Sequence, residues 1–320
     1  MRFRTPFALI FTACLTITAA LPAVRAQSPT MAPDFVGISH WINSPPLSMK
    51  KLHGKVVLID FWTYSCINCL RTLPHLKSWW AKYKDKGLVI VGVHSPEFDF
   101  EKKPANVEAA VKKYAIGWPV AMDNDMDTWN AWNNQYWPAE YLVDKRGKVV
   151  MQHFGEGHYM ETENAIRKLL GLSPIAHEDV AAANLSQIGS PEMYLGSNRV
   201  RNMANPIPPL MFTHLYKAPA RLALNQYALQ GHWKLAGEYA RLTEGSGQIR
   251  LHFKAGKLHM VASSKTPVTL KITVDGKPQP AVTVHGSKLY TLFNSNDYRD
   301  HVVTIEIPKA GLRAYTFTFG

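Results

Sequence analysis

Cys66 and Cys69 lie two residues apart in Tyr64-Ser65-Cys66-Ile67-Asn68-Cys69, and the third cysteine, Cys14, lies in an apolar N-terminal run. Two sulfurs at this spacing do chemistry when the first sits at a helix start. Unpaired backbone N–H groups and the helix dipole there favour a thiolate, the species that attacks a disulfide. A mixed disulfide forms, and the second sulfur, one turn further on, closes an internal disulfide and expels the partner. Other uses of the spacing fit less well. A structural zinc site needs further ligands, and neither a second C-x-x-C nor an H-x-x-H supplies them. Covalent haem attachment needs a histidine after Cys69, where Leu70 stands. A static disulfide closing so short a loop stabilises little. The pattern predicts a redox-active Cys66–Cys69 pair with no metal and no other cofactor.

Two neighbouring features sharpen this reading. Asp60 lies six positions before Cys66, at the end of an apolar run. A carboxyl there is expected to be partly buried, with a raised pKa, near the second cysteine, where it accepts the proton of Cys69; the alternative is a solvated aspartate at a strand end. Trp137-Pro138 precedes the next strand, and a proline there in cis exposes backbone groups that pair with an extended substrate; the alternative is an ordinary trans turn. Pro74, five positions after Cys69, falls inside the expected helix and should kink it.

The elements that position these residues follow from periodicity. Lys55–Phe61 and Leu88–Val93 are short, partly β-branched apolar runs of the kind that form buried strands. Cys69–Lys84 carries Leu70, Leu73, Leu76, Trp79 and Trp80 at helical spacing, with Gly87 beyond it. Ala105–Tyr114 and Thr162–Leu170 read as helices. Glu140–Asp144 and Val149–Met151 read as strands joined by a turn at Lys145–Lys148. Strands alternating with helices over residues 31–172 imply an α/β layer fold. Residues 173–190 read as a linker. Over residues 191–320 the pattern becomes apolar–polar alternation, as in Val268, Leu270, Ile272 and Val274, in Ile249, Leu251 and Phe253, in Val303, Ile305 and Ile307, and in Tyr315, Phe317 and Phe319. Short alternating strands separated by turn residues imply an all-β sandwich or jelly roll.

Composition bounds the rest. At 320 residues and 46% hydrophobic the chain has room for two cores, and three cysteines exclude a disulfide-stapled miniprotein. The net charge is +12, but no Lys/Arg block exceeds two residues, so no nucleic-acid partner is expected. Arg2 and Arg4, the apolar stretch from Phe7 to Leu21 and the small residues around Val24–Ala26 read as an export signal (residues 1–26) cut after about Ala26. An uncleaved anchor and a lipoprotein cut before Cys14 are the alternatives. Export implies a periplasmic or secreted protein whose Cys66 and Cys69 meet an oxidising compartment.

Asp60-Phe61-Trp62, Cys66-x-x-Cys69 and Pro74 together resemble a thioredoxin active-site segment, and Trp137–Tyr141 resembles the cis-proline loop of that fold. The long interval from Cys66 to Pro138 leaves room for an inserted strand and helix, as in the extracytoplasmic TlpA/ResA-like members. Phe61–Cys69 and the ending Gly311–Gly320 are more similar still to the soluble C-terminal region of DipZ-type proteins. That resemblance implies an α/β thioredoxin-like domain followed by a carbohydrate-binding-module-like β-domain, and a thiol–disulfide oxidoreductase acting on protein disulfides and dithiols. It implies Cys66 and Cys69 as catalytic, Asp60 as proton acceptor and Pro138 as shaping the substrate groove. Trp62, Ile67, Asn68, Trp137 and Glu97 would tune the redox pair or line that groove; Ile67-Asn68 replaces the Gly-Pro of thioredoxin. DipZ-type proteins usually carry a CcdA-like membrane domain, so the expected electron donor here is a separate CcdA-like membrane protein. Trp233, Tyr239, Tyr290 and Tyr298 would offer a sugar-stacking platform on the β-domain, or pack in its core or form a protein-docking face. The alternatives are a carbohydrate- or protein-binding surface protein with a thioredoxin-like scaffold, and a thiol peroxidase. Thr63-Tyr64-Ser65-Cys66 matches half of a peroxiredoxin site, but Ile59 stands where that site has proline.

Overall fold

The computed structural model describes residues 30–207 and 212–320; the export signal expected at residues 1–26 lies outside them. The first part runs β1 (His40–Ile42), β2 (Val56–Trp62), α1 (Ile67–Tyr83), β3 (Leu88–His94), α2 (Pro104–Lys113), β4 (Val120–Met122), α3 (Asp127–Ala131), β5 (Ala139–Val143), β6 (Val149–Phe154) and α4 (Tyr159–Leu170). Its strands form one sheet in the order β1-β4-β3-β2-β5-β6. Strands β2, β3 and β4 are parallel, while β5 pairs antiparallel with β2 and β6 antiparallel with β5.

Every residue of β2 is buried because both sheet faces are covered, which is why it reads as a continuous apolar run. Alternation along the strand divides its side chains between two cores. Val56, Leu58 and Trp62 pack with Leu73, Leu76 and Trp79 of α1, on the side of the two cysteines. Val57, Ile59 and Phe61 pack with Trp129 and Trp132 on the other side. Asp60 shares the parity of Leu58 and Trp62, so the pleat delivers its carboxyl to the cysteine side. Helix α1 runs to Tyr83 with Pro74 inside it, and α4 stops at Gly171, whose φ of 76° is the left-handed conformation glycine adopts most readily.

Residues 171–192 carry no helix or strand. The second part is all β: β7 (Met193–Tyr194), β8 (His214–Tyr216), β9 (Tyr227–Leu235), β10 (Ala240–Lys254), β11 (Lys257–Val274), β12 (Lys277–Asn294), β13 (Asp300–Ile307) and β14 (Arg313–Phe319). Strands β10 and β11 each pair with β14 at one end and β13 at the other, so the sheet wraps around one core that includes Trp233, Phe253, Leu270 and Phe317. The alternating segments read from the sequence lie inside these strands. Strands β10 to β12 are far longer than the expected short ones, because register shifts such as that between Ser264 and Val268 interrupt the alternation without ending the pairing.

The two parts share an interface. Val261 and Tyr315 of the β-domain belong to the same apolar cluster as Cys66, Cys69 and Leu76. Phe98 and Phe100 meet the Tyr315 ring edge-on, at 5.1 Å and 4.9 Å between centroids. Polar contacts surround this patch, including Tyr64 donating to the Ser287 carbonyl at 3.3 Å and the Glu238 carboxylate accepting from the Asp99 N–H at 3.0 Å. Among the described residues no helix is long and apolar enough to cross a membrane.

Candidate active site

Cys66 is the N-cap of α1, with extended backbone (φ −80°, ψ 117°), and its Sγ accepts from the Cys69 N–H at 3.5 Å. The helix thus aims its first unpaired N–H groups at this sulfur, which favours negative charge there. Both cysteines are free and buried, Cys66 at 6% exposure and Cys69 at 1%. Burial first, and then the hydrogen bond and charge of Cys66, hold the Cys69 thiol well above the ordinary range, so it rests protonated. The pair is asymmetric: one sulfur is placed to attack, and the other must lose a proton before it does.

Asp60 is fully buried, and burial pushes its carboxyl up from 3.8 to about 7. Among the described residues its Oδ1 has no hydrogen-bond partner, and its charge is felt by Cys69. Directly opposite on β5 is Glu140, in antiparallel register with Asp60. Side chains so paired share a face, with Cβ atoms about 5 Å apart. Glu140 is equally buried, and burial followed by the Asp60 charge pushes it up to about 8, against a smaller pull from the Thr162 hydroxyl. Two carboxyls so paired do not both ionise readily, and such a pair can hold a proton on the cysteine side of the sheet. The sequence reading missed Glu140; its one sequence signal is its place two residues after Pro138.

The approach to Cys66 rests on a third buried acid that the sequence reading also missed. Glu101 accepts from the Ser65 hydroxyl at 2.6 Å and from the backbone N–H of Glu97 at 2.7 Å and of Phe98 at 3.0 Å. Burial, and next the neighbouring Glu97, push its carboxyl up to about 7, against the pull of these donors. The Trp137–Pro138 bond is cis, Pro138 is buried, and the Trp137 indole donates to the Ser95 carbonyl at 3.0 Å. Ile67, Asn68 and Trp137 are half-buried and offer surface, the first two next to Cys66 in the chain. Trp62 and Glu97 do not: Trp62 is enclosed in the core at 1% exposure, and the Glu97 carboxylate is held in the domain interface by Tyr194 at 2.7 Å and Arg199 at 2.8 Å. Arg71, also unforeseen, donates to Asn68 Oδ1 at 2.7 Å, pairs with Glu156 at 2.7 Å and reaches the Phe319 carbonyl at 3.1 Å, tying the motif to both domains.

The aromatics expected to form a sugar platform do not make an exposed row. Trp233 and Tyr290 are in the β-domain core, Tyr239 packs on Tyr315 in the interface, and Tyr298 is half-buried. Among the described residues no cluster of side chains is arranged to hold a metal ion.

Residues 30–152 match the AhpC/TSA family, and residues 190–320 match the thioredoxin-like C-terminal domain. Protein DipZ of Mycobacterium tuberculosis is 37% identical over 309 residues, covering 93% of this chain but 44% of DipZ, so the chain spans less than half of that relative. Thiol-disulfide oxidoreductase YkuV of Bacillus subtilis is 30% identical over 125 residues, 39% of this chain and 82% of YkuV. Thiol-disulfide oxidoreductase ResA of Bacillus thuringiensis is 30% identical over 138 residues, 43% of this chain and 76% of ResA. These matches cover most of the length of YkuV and ResA, and they meet a helix-capping cysteine pair set over a buried aspartate. The chain therefore belongs to the thioredoxin-like thiol–disulfide oxidoreductases.

Proposed function

We propose that this protein exchanges disulfides with protein substrates outside the cytoplasm, and the observation that carries the reading is Cys66 at the α1 N-terminus, bonded to the N–H of the buried Cys69, on the sheet face that also carries the buried Asp60. In the reducing direction the Cys66 thiolate attacks a substrate disulfide. One substrate sulfur leaves as a thiolate, and the other is joined to Cys66. Cys69 then passes its proton to ionised Asp60, and its thiolate attacks Cys66 Sγ. The Cys66–Cys69 disulfide forms as the second substrate thiolate departs. Two electrons have moved to the substrate, and a separate dithiol donor must return them. A CcdA-like membrane protein is the proposed donor, and the N-terminal export pattern supports an extracytoplasmic site of action. Ile67, Asn68 and Trp137 form the surface a substrate meets first, with Pro138 beneath it.

The test is to trap the intermediate. In Cys69→Ser the serine hydroxyl stays protonated and does not displace the partner, so the mixed disulfide at Cys66 accumulates. Affinity purification from the native envelope is expected to yield adducts that a reductant releases, and none from the Cys66→Ser/Cys69→Ser variant. Full reduction of a protein disulfide by Cys66→Ser, or no reductant-sensitive adduct in Cys69→Ser with Cys66 shown to be reduced and reactive, overturns the reading.

A further inference from the structure

A cleft of about 690 Å³ opens between the two domains, and its walls are cationic. Lys103 stands on the thioredoxin-like side, while Arg241, Lys265 and Arg313, with His285, stand on the β-domain side. No aspartate or glutamate is among the described residues lining it. Nor is any carboxylate of the described residues within ion-pair distance of those lysines and arginines.

Two features mark this as more than a basic surface. Arg241 and Arg313 are direct cross-strand partners of β10 and β14. Like charges so placed repel each other, and an anion seated between them would remove the penalty. The Arg313 guanidinium is also held over the Tyr239 ring, 4.7 Å from its centroid, so its position is set before anything binds. The cleft is polar as well as cationic, with the hydroxyls of Ser263, Ser264 and Thr266 among its lining.

Its position relates it to the redox pair. Ser287 lines the cleft, and its carbonyl accepts from Tyr64, which lies two residues before Cys66. Phe100, another lining residue, packs on the same tyrosine, with ring centroids 6.0 Å apart. Tyr64 thus touches the cleft wall from the loop that carries the attacking sulfur. A protein held at Cys66 through a mixed disulfide would present its flanking segment here at high effective concentration. That chain is the occupant the exchange reaction already brings to this place, and carboxylates are what its side chains can offer to these cations.

We infer that the interdomain cleft docks an acidic segment of the substrate protein, flanking the cysteine that exchanges with Cys66. This inference rests on the oxidoreductase reading above. The preferred substrates are proteins with aspartate or glutamate near an exposed disulfide. Docking there adds attraction without touching the sulfur chemistry, so it acts on encounter and on KM.

The experiment compares two disulfide-linked peptides that differ in one four-residue flank, Asp/Glu in one and Asn/Gln in the other. Their reduction by the full, pre-reduced chain is followed at low salt. The acidic peptide is expected to have a kcat/KM about tenfold higher, mainly through KM, and the advantage should shrink as salt rises. Arg241→Gln with Lys265→Gln should bring the ratio of the two peptides toward unity. Lys103→Gln, on the opposite wall, should lower it independently. Equal kcat/KM for the two peptides in the wild type, with both turned over, overturns the docking inference and leaves the redox reading intact. A preference that persists unchanged in the variants also overturns it, as does saturable heparin binding in the cleft without peptide discrimination. Failure to reduce either peptide defeats the redox reading itself, and the inference falls with it.

Discussion

Asp60 and Glu140 face each other between β2 and β5, fully buried, and neither has an ion-pair partner among the described residues. In the proposed exchange their kinetic role falls in the second half. Attack by Cys66 draws on the helix terminus, whereas resolution requires Cys69 to give up its proton. Asp60→Asn is therefore expected to slow resolution about 10²-fold near neutral pH while leaving mixed-disulfide formation close to wild type. Single-turnover traces that separate the two phases check this, and a slowed first phase alone would contradict it. The same burial makes stability depend on pH. Both carboxyls have folded-state values above their unfolded ones, so each binds a proton more tightly in the native state. Their stabilising contribution is complete below about pH 4 and is lost as pH rises through about 7 for Asp60 and about 8 for Glu140. The unfolding free energy of the wild type, from urea melts, should fall between about pH 4.5 and about pH 8, and Asp60→Asn should reduce that fall by about 2–4 kcal/mol. A variant with the wild-type slope would show that Asp60 does not titrate in this range.

Helix α1 is the element on which the site is built, and Arg71 is its anchor. The guanidinium binds Asn68 from within the helix, Glu156 after β6 and the Phe319 carbonyl at the end of β14. The Glu156 side chain is only 6% exposed, so removing its partner strands a nearly buried charge. Arg71→Ala should cost about 2–3 kcal/mol, and Arg71→Ala with Glu156→Gln should recover much of it. Denaturant melts of the single and double variants measure this coupling. A coupling energy near zero would mean the pair is merely adjacent. A reduction potential unchanged in Arg71→Ala would limit Arg71 to holding the helix, with no effect on the redox pair through Asn68.

The interface joins two domains that the sequence separates by grammar alone. Tyr315 is 3% exposed and wedged against Phe98 and Phe100. Tyr315→Ala should destabilise the full chain by about 3 kcal/mol and make Cys66, now 6% exposed, react faster with a thiol reagent. An unchanged labelling rate would show that the β-domain does not shield the sulfur. A fragment spanning residues 190–320 should still melt cooperatively with an all-β circular dichroism spectrum, because its own core of Trp233, Phe253, Leu270 and Phe317 remains complete. Its midpoint should lie below that of the β-domain in the full chain, since Val261 and Tyr315 would meet water. A non-cooperative melt would place part of its core in the first domain.

The redox pair, the acid before it and the proline before β5 were legible because their relation is local. A C-x-x-C needs only a helix start to orient it, and Asp60 needs only a strand ending beside that helix. The alternation of the C-terminal half likewise announced β structure, since half-buried strands write their two faces directly into the sequence. Glu140, Glu101 and Arg71 carried no such mark. Glu140 meets Asp60 across 80 positions, through the register of β2 with β5, and a one-residue slip of that pairing would turn its carboxyl to the other face. The same holds for the aromatics of the β-domain, whose residue types fit a sugar platform or a core equally well, and whose burial was decided by the wrapping of the sheet. The cationic cleft is the extreme case. Lys103, Arg241, Lys265 and Arg313 are unremarkable apart in the sequence, and they become one surface only because the two domains meet at Tyr315.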